Sequence, residues 1–121
     1  MRIRDAAERS GLSIDTIRFY EKSGMLPAIA RGKRGWRDFS ADQLDWLITL
    51  ERLRATGMPL KAVKRFAVLV HAAPEDAAAA GERLAILEEH RERLAERRRQ
   101  LDACEAYLIR KIAIHRAVGD L

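Results

Sequence analysis

Gly11-Leu-Ser-Ile-Asp-Thr-Ile-Arg-Phe-Tyr-Glu21 decides how this chain is read. Before it, Ile3, Ala6 and Ala7 recur at helical spacing, and Ser10-Gly11 ends that first helix, because glycine can take the left-handed closing conformation. Ser13 suits the cap of the next helix, its hydroxyl accepting a bond from an amide one turn in. Ile14 and Ile17 then point inward, which turns Asp15, Thr16, Arg18 and Lys22 outward. Gly24 closes this helix and Pro27 prevents its continuation. Two short helices joined by a tight turn, the second presenting an arginine, form the pattern of a helix-turn-helix.

Residues 28–39 break the helical pattern. Arg31-Gly-Lys-Arg-Gly-Trp-Arg37 places four cations in seven residues with no acid among them. Gly32 and Gly35 can turn the chain, and Trp36 and Phe39 favour strands, so a small two-stranded hairpin, a wing, is expected. Trp36 can anchor it while the cations lie along a phosphate backbone and release condensed counterions. Arginine is the side chain most used to read guanine edges or clamp phosphate, which fits Arg18. Tyr20 reads equally as a core ring whose hydroxyl reaches a phosphate. Lys61, beside Pro59 at a helix start, adds a further phosphate contact. The candidate DNA contacts are therefore Ser13, Thr16, Arg18, Phe19, Tyr20, Arg34, Trp36, Arg37 and Lys61.

Ser40-Ala-Asp-Gln43 matches a capping box, opening a third helix with Leu44, Leu47, Ile48 and Leu50 on its apolar side. Gly57 sits past its end, and Pro59 starts a fourth helix whose buried stripe is Leu60, Val63, Phe66, Ala67 and Val70. His71-Ala-Ala-Pro74 interrupts the pattern. From about residue 80 to 116 a single long helix is expected, since neither Pro nor Gly occurs from Glu82 to Val118. Leu87, Leu94, Leu101 and Leu108 repeat every seven residues, flanked by Leu84 and Ile112. Arg91, Arg98 and Glu105 narrow that seam. About 35 residues at about 1.5 Å each span about 50 Å, whereas a 70-residue head has a radius of gyration near ~11 Å. The helix outruns its own domain, and each leucine left in water costs about 1.5–3 kcal/mol. A homodimer through this helix is the simplest cover, giving a head over 1–73 and a dimerisation helix over 74–121.

Charge follows the same division. The chain carries +5, with fourteen Lys and Arg against eight Asp and Glu in residues 1–70, and nine against ten in residues 71–121. A basic front and a near-neutral back suit a polyanion-binding head and a partner-binding tail. One cysteine, Cys104, excludes an intrachain disulfide. No signal-peptide core or membrane-length apolar run occurs, so a cytoplasmic protein without membrane association is expected. His71, His90 and His115 lie far apart without ligand partners, so no metal site and no cofactor is expected. No nucleophile–base pair, phosphate loop or carboxylate constellation is present, which leaves an enzyme unsupported. Cys104, just off the seam, reads first as a packing residue and second as the candidate thiol sensor.

The sequence resembles the MerR family of bacterial transcription regulators over nearly its whole length. The residues that carry the resemblance are Ser13-Ile-Asp-Thr-Ile-Arg-Phe-Tyr-Glu21, Gly24-Met-Leu-Pro27, Gly35-Trp-Arg-Asp-Phe-Ser40 and Leu53-Arg-Ala-Thr-Gly-Met-Pro-Leu60. The resemblance implies a mainly α protein: a winged helix-turn-helix head, then a long C-terminal helix forming an antiparallel coiled-coil dimer. It implies binding to double-stranded promoter DNA, with activation by twisting and bending an operator so that RNA polymerase engages both promoter elements. Thr16, Arg18, Tyr20, Arg37 and Lys61 match family positions that contact the operator. Two departures bear on the signal. The paired cysteines of metal-sensing branches are absent after the long helix, and Arg52 stands where electrophile-responsive members carry a cysteine. A separate drug-binding domain is also absent, so a small-molecule or electrophile inducer stays unidentified. Two other classes share parts of the pattern: a coiled-coil protein whose head binds another protein, and a DNA-architectural factor of the recombination type.

Overall fold

The structure, a computed structural model, describes residues 1–27, 32 and 35–119. Five helices follow one another: α1 (Ile3–Ser10), α2 (Ile14–Lys22), α3 (Ala41–Ala55), α4 (Leu60–Ala72) and α5 (Ala77–Gly119). No strand occurs among the described residues. Contacts divide the chain into two units, Met1–Ile86 and Leu87–Leu121, and the division falls within α5.

The first unit is built from local stops and starts. Gly11, at φ 79°, closes α1, and its N–H reaches the Ala7 carbonyl at 3.0 Å. Buried Ser10 tightens the same turn by accepting the Leu12 N–H at 3.2 Å. Ser13 caps α2, accepting the Thr16 N–H at 3.1 Å. After α2, Gly24 at φ 79° reverses the chain and sends Met25 and Leu26 into the interior. The expected capping box opens α3: the Gln43 N–H reaches Ser40 Oγ at 3.1 Å, and the Ser40 N–H reaches Gln43 Oε1 at 2.8 Å. Such reciprocal bonds satisfy two amides that a helix start leaves without partners. Pro59 caps α4 instead of entering its first turn.

The core gathers one or more residues from each of α1 to α4 and from the connections, among them Ala6, Ile17, Phe39, Leu47, Met58 and Val63. Met1 is tied to the segment before α3 by two backbone bonds, Phe39 N–H to Met1 O at 2.7 Å and Met1 N to Phe39 O at 2.8 Å. Within α4 the buried stripe is Val63, Phe66, Ala67 and Leu69, with Val70 only half-buried. Leu69 is one position, about 100°, away from the residue expected there. Arg83 of α5 closes the end of α4, its guanidinium donating to the carbonyls of Leu69, Ala73 and Pro74 at 2.9, 3.2 and 3.3 Å.

The second unit is helix throughout its described residues, with no turn that would fold it into a hairpin. Its apolar side chains are largely uncovered: Leu101, Leu108 and Ile112 are 70%, 59% and 50% exposed. Among the described residues, no helix is long and apolar enough to cross a membrane.

Candidate nucleic-acid interface

The outer face of α2 is set by which residues the core takes. Ile17 and Tyr20 are buried, which leaves Asp15, Arg18, Phe19 and Lys22 facing outward and Thr16 and Ile14 half-buried. Ser13 is occupied with its neighbour: its hydroxyl donates to Thr16 Oγ1 at 2.8 Å while accepting the Thr16 amide. It therefore fixes the Thr16 hydroxyl at the start of the helix. Phe19 is 46% exposed, with Lys64 Nζ of α4 lying 5.8 Å from its ring centre.

Tyr20 belongs to the core. Its side chain is 4% exposed, and burial, opposed by Arg54 and reinforced by Glu51, raises its phenol pKa above the ordinary value. The ring is a core ring. Lys61 is exposed in the first turn of α4.

The expected hairpin falls partly on residues 28–31, 33 and 34, so Arg34 lies outside the described residues. What is described is a turn, with the Gly32 N–H donating to Trp36 O at 2.8 Å and the Gly35 N–H to Gly32 O at 3.0 Å. Gly35 sits at φ 82°, a conformation that other residues rarely take. Trp36, 36% exposed, has the Arg2 guanidinium 4.1 Å from its ring centre. Arg37 turns toward α2: its Nε donates to both carboxylate oxygens of Glu21, at 2.8 and 3.1 Å. Both partners are half-buried, so this pair fastens the turn to the end of α2.

The family model described as MerR HTH family regulatory protein matches residues 1–67, and that described as MerR, DNA binding matches residues 44–110. The chain belongs to the MerR family. A solved MerR family regulator, HiNmlR, described as lacking the sensor domain and bound to promoter DNA, aligns at a TM-score of 0.70 and 38% identity, over 84% of this chain and 78% of that one. A MerR family regulator from Bacillus thuringiensis aligns at a TM-score of 0.75 and 26% identity, covering 93% and 96%. In sequence, an HTH-type transcriptional regulator of Haemophilus influenzae is 50% identical over 62 residues, which is 51% of this chain and 46% of that protein. The chain spans about half the length of such curated relatives.

Within this MerR family head, sequence reasoning missed two features. Trp46 bridges three segments: its Nε1–H donates to Met25 O at 2.8 Å, its ring stacks on Phe66 at 6.0 Å, and His71 meets it edge-on at 4.6 Å. Glu21, the last residue of the Ser13–Glu21 motif, holds Arg37. The signal available for Glu21 was a carboxylate at the last turn of α2 opposite a run of cations, which no local rule pairs with one of them.

Proposed function

We propose that this MerR family chain is a dimeric, DNA-binding transcription regulator that controls a promoter by distorting operator DNA, and that it is not an enzyme. The observation that carries the reading is the outer face of α2, where a capped helix presents exposed Arg18 beside Thr16 and Phe19. Arg37, fastened to the same helix by Glu21, and exposed Lys61 at the start of α4 are the further cations of this reading. Arg18 suits base edges in the major groove, while Arg37, Lys61 and Arg34 suit phosphates. Tyr20 contributes by holding α2 against the core, and Trp36 by anchoring the turn.

The functional division is placed between α4 and α5, with a DNA-binding head over 1–73 and a dimerisation helix over 74–121. Leu84, Leu87, Leu94, Leu101, Leu108 and Ile112 form the row that a second copy covers. Leu84 and Leu87 are 56% and 39% exposed in the single chain, which supports that role. An antiparallel pairing of two such helices, contact with RNA polymerase and a cytoplasmic setting follow from the family.

The test is binding of a fluorescent duplex from the protein's own upstream region at increasing salt. Four or more phosphate contacts give a log–log slope of about −3.6 or steeper. A flat slope, or no binding, overturns the reading in favour of a protein-interaction module. For the signal, Cys104 is exposed on α5. A promoter reporter under electrophile stress that responds equally in Cys104→Ser excludes the thiol.

A further inference from the structure

Between the start of α1 and the outer face of α2 lies a groove of about 400 Å³, lined by Arg2, Ile3, Arg4, Asp5, Ile14 and Arg18. Three of these six residues are arginines. Asp5 is the one acid, and its carboxylate already accepts the Arg2 backbone N–H at 3.3 Å. Among the described residues, none of the three guanidiniums is ion-paired with a carboxylate, whereas Arg37, Arg52 and Arg65 are held by Glu21, Glu51 and Glu82. Like charges gathered along one groove repel one another, and such an arrangement is relieved when an anion enters.

Arg2 is also oriented. Its guanidinium lies 4.1 Å from the Trp36 ring centre. An arginine seated over an aromatic face keeps N–H groups at its edge with which to donate. A planar fork held in this way matches phosphate oxygens, the geometry in which arginine binds most strongly.

We infer that this groove is a binding site for the backbone phosphates of duplex DNA, with Arg2 and Arg4 as its clamping side chains and Trp36 as the positioning residue for Arg2. The inference rests on the DNA-binding reading above, because Arg18 belongs to both the groove and the outer face of α2. A duplex seated against Arg18 brings its own backbone to the mouth of the groove. An acidic protein segment could use the same charges, but it would have no reason to share a wall with the outward face of the helix-turn-helix.

The experiment uses the full chain and a fluorescein-labelled duplex of mixed sequence, since phosphate contacts are independent of sequence. Affinity is read by anisotropy across a range of potassium chloride for wild type, Arg2→Gln, Arg4→Gln, the Arg2→Gln/Arg4→Gln double variant, Trp36→Leu alone and combined with Arg2→Gln, Arg2→Lys/Arg4→Lys, and Arg9→Gln. Because a dimer carries two such grooves, removing either groove arginine should flatten the log–log slope by about 1.8, and removing both by about 3.6. Trp36→Leu should weaken binding less than Arg2→Gln and add little on top of it, the non-additivity expected of two residues acting as one. Arg2→Lys/Arg4→Lys should keep the slope while lowering affinity, because the charges remain and the forks are lost. Arg9→Gln takes one charge from the other end of α1 and should leave the slope unchanged.

An unchanged slope in the double Gln variant overturns the inference and leaves a protein partner as the groove's occupant. So does an Arg9→Gln effect as large as that of Arg2→Gln, which would make net charge the cause. In both cases wild type still binds with its steep slope, so the DNA reading survives. If wild type itself shows no salt-dependent binding, the DNA reading and the groove fall together.

Discussion

Leu47 and Leu50 in α3 are 0% exposed, whereas Leu101 and Leu108 in α5 are 70% and 59% exposed. All four sit on regular helices at helical spacing. The difference lies in what each helix has beside it within its own unit. Residues 1–86 are cut into short helices by Gly11, Gly24 and Gly57, each at positive φ, so the chain returns on itself and covers its leucines. Residues 87–119 contain no such break. A leucine row that its own unit cannot bury is best read as a specification for a second chain.

The largest effect should come from breaking that row. Leu101→Glu places a charge where a partner helix would pack, and an unpaired buried charge costs several kcal/mol. Sedimentation at micromolar concentration should show a monomer, with dimer affinity reduced by at least about 100-fold on that cost. A dimer that persists would mean the exposed row is not its interface. Next in size is the matching cut inside the head. Leu50→Ala should lower unfolding stability by about 2–5 kcal/mol, the range for emptying a packed site. The sharpest form of the comparison sets this against Leu101→Ala. There the proposed dimer predicts a loss that varies with protein concentration, since association and not a private core would provide the burial.

The parts of this contrast that were legible in the sequence are local ones. Ser13, Gly11 and the Ser40–Gln43 box act over three or four residues, and the chain alone states which amides they satisfy. The unbroken α5 was equally plain, because the absence of Pro and Gly is a property of the string. What stayed hidden joins residues far apart: Trp46 to Met25, Arg37 to Glu21, Arg83 to the end of α4. Periodicity shows that a residue faces inward without showing what it meets. That is also why Leu69, and not Val70, completes the buried stripe of α4, since a small rotation of the helix decides between neighbours. For the candidate interface the sequence offers residue types but not the contacts they make within the head. Ser13 serves Thr16, Tyr20 serves the core, and Arg37 is shared with Glu21.

That division makes the next test. Arg18→Ala removes an exposed group with no carboxylate partner among the described residues, and should cost about 1–3 kcal/mol on promoter DNA if it reads a base edge. On mixed-sequence duplex the loss should be smaller, and equal losses on both would reduce Arg18 to a phosphate contact. Glu21→Gln should act more weakly, by about 1 kcal/mol, since the partly exposed pair it breaks only orients Arg37. The pairs of α5 provide the contrast. Arg93–Glu89 and Arg99–Glu96 lie within one helix and are exposed, so Arg93→Gln should change stability by less than about 0.5 kcal/mol. Thermal melts of the two variants side by side would show whether bridging two elements of the head matters more than decorating one helix.

The smallest expected effect also depends on the head having an interior. His71 ends α4 with its ring edge-on to Trp46 at 4.6 Å, and burial lowers its pKa below the ordinary value. A histidine whose folded pKa is depressed favours the neutral ring in the folded state. Its contribution is therefore fully present above the unfolded value of about 6.5 and is lost as pH falls through that value toward the folded one. The melting temperature of wild type, followed by circular dichroism, should be level on the alkaline side and begin to decline below about 6.5, ahead of the carboxylates. In His71→Gln that early decline should vanish, leaving only the later one. Because the ring is largely open to solvent, the shift should be small. A decline of the same size in both proteins would assign it elsewhere and would show that the Trp46 contact does not desolvate the imidazole.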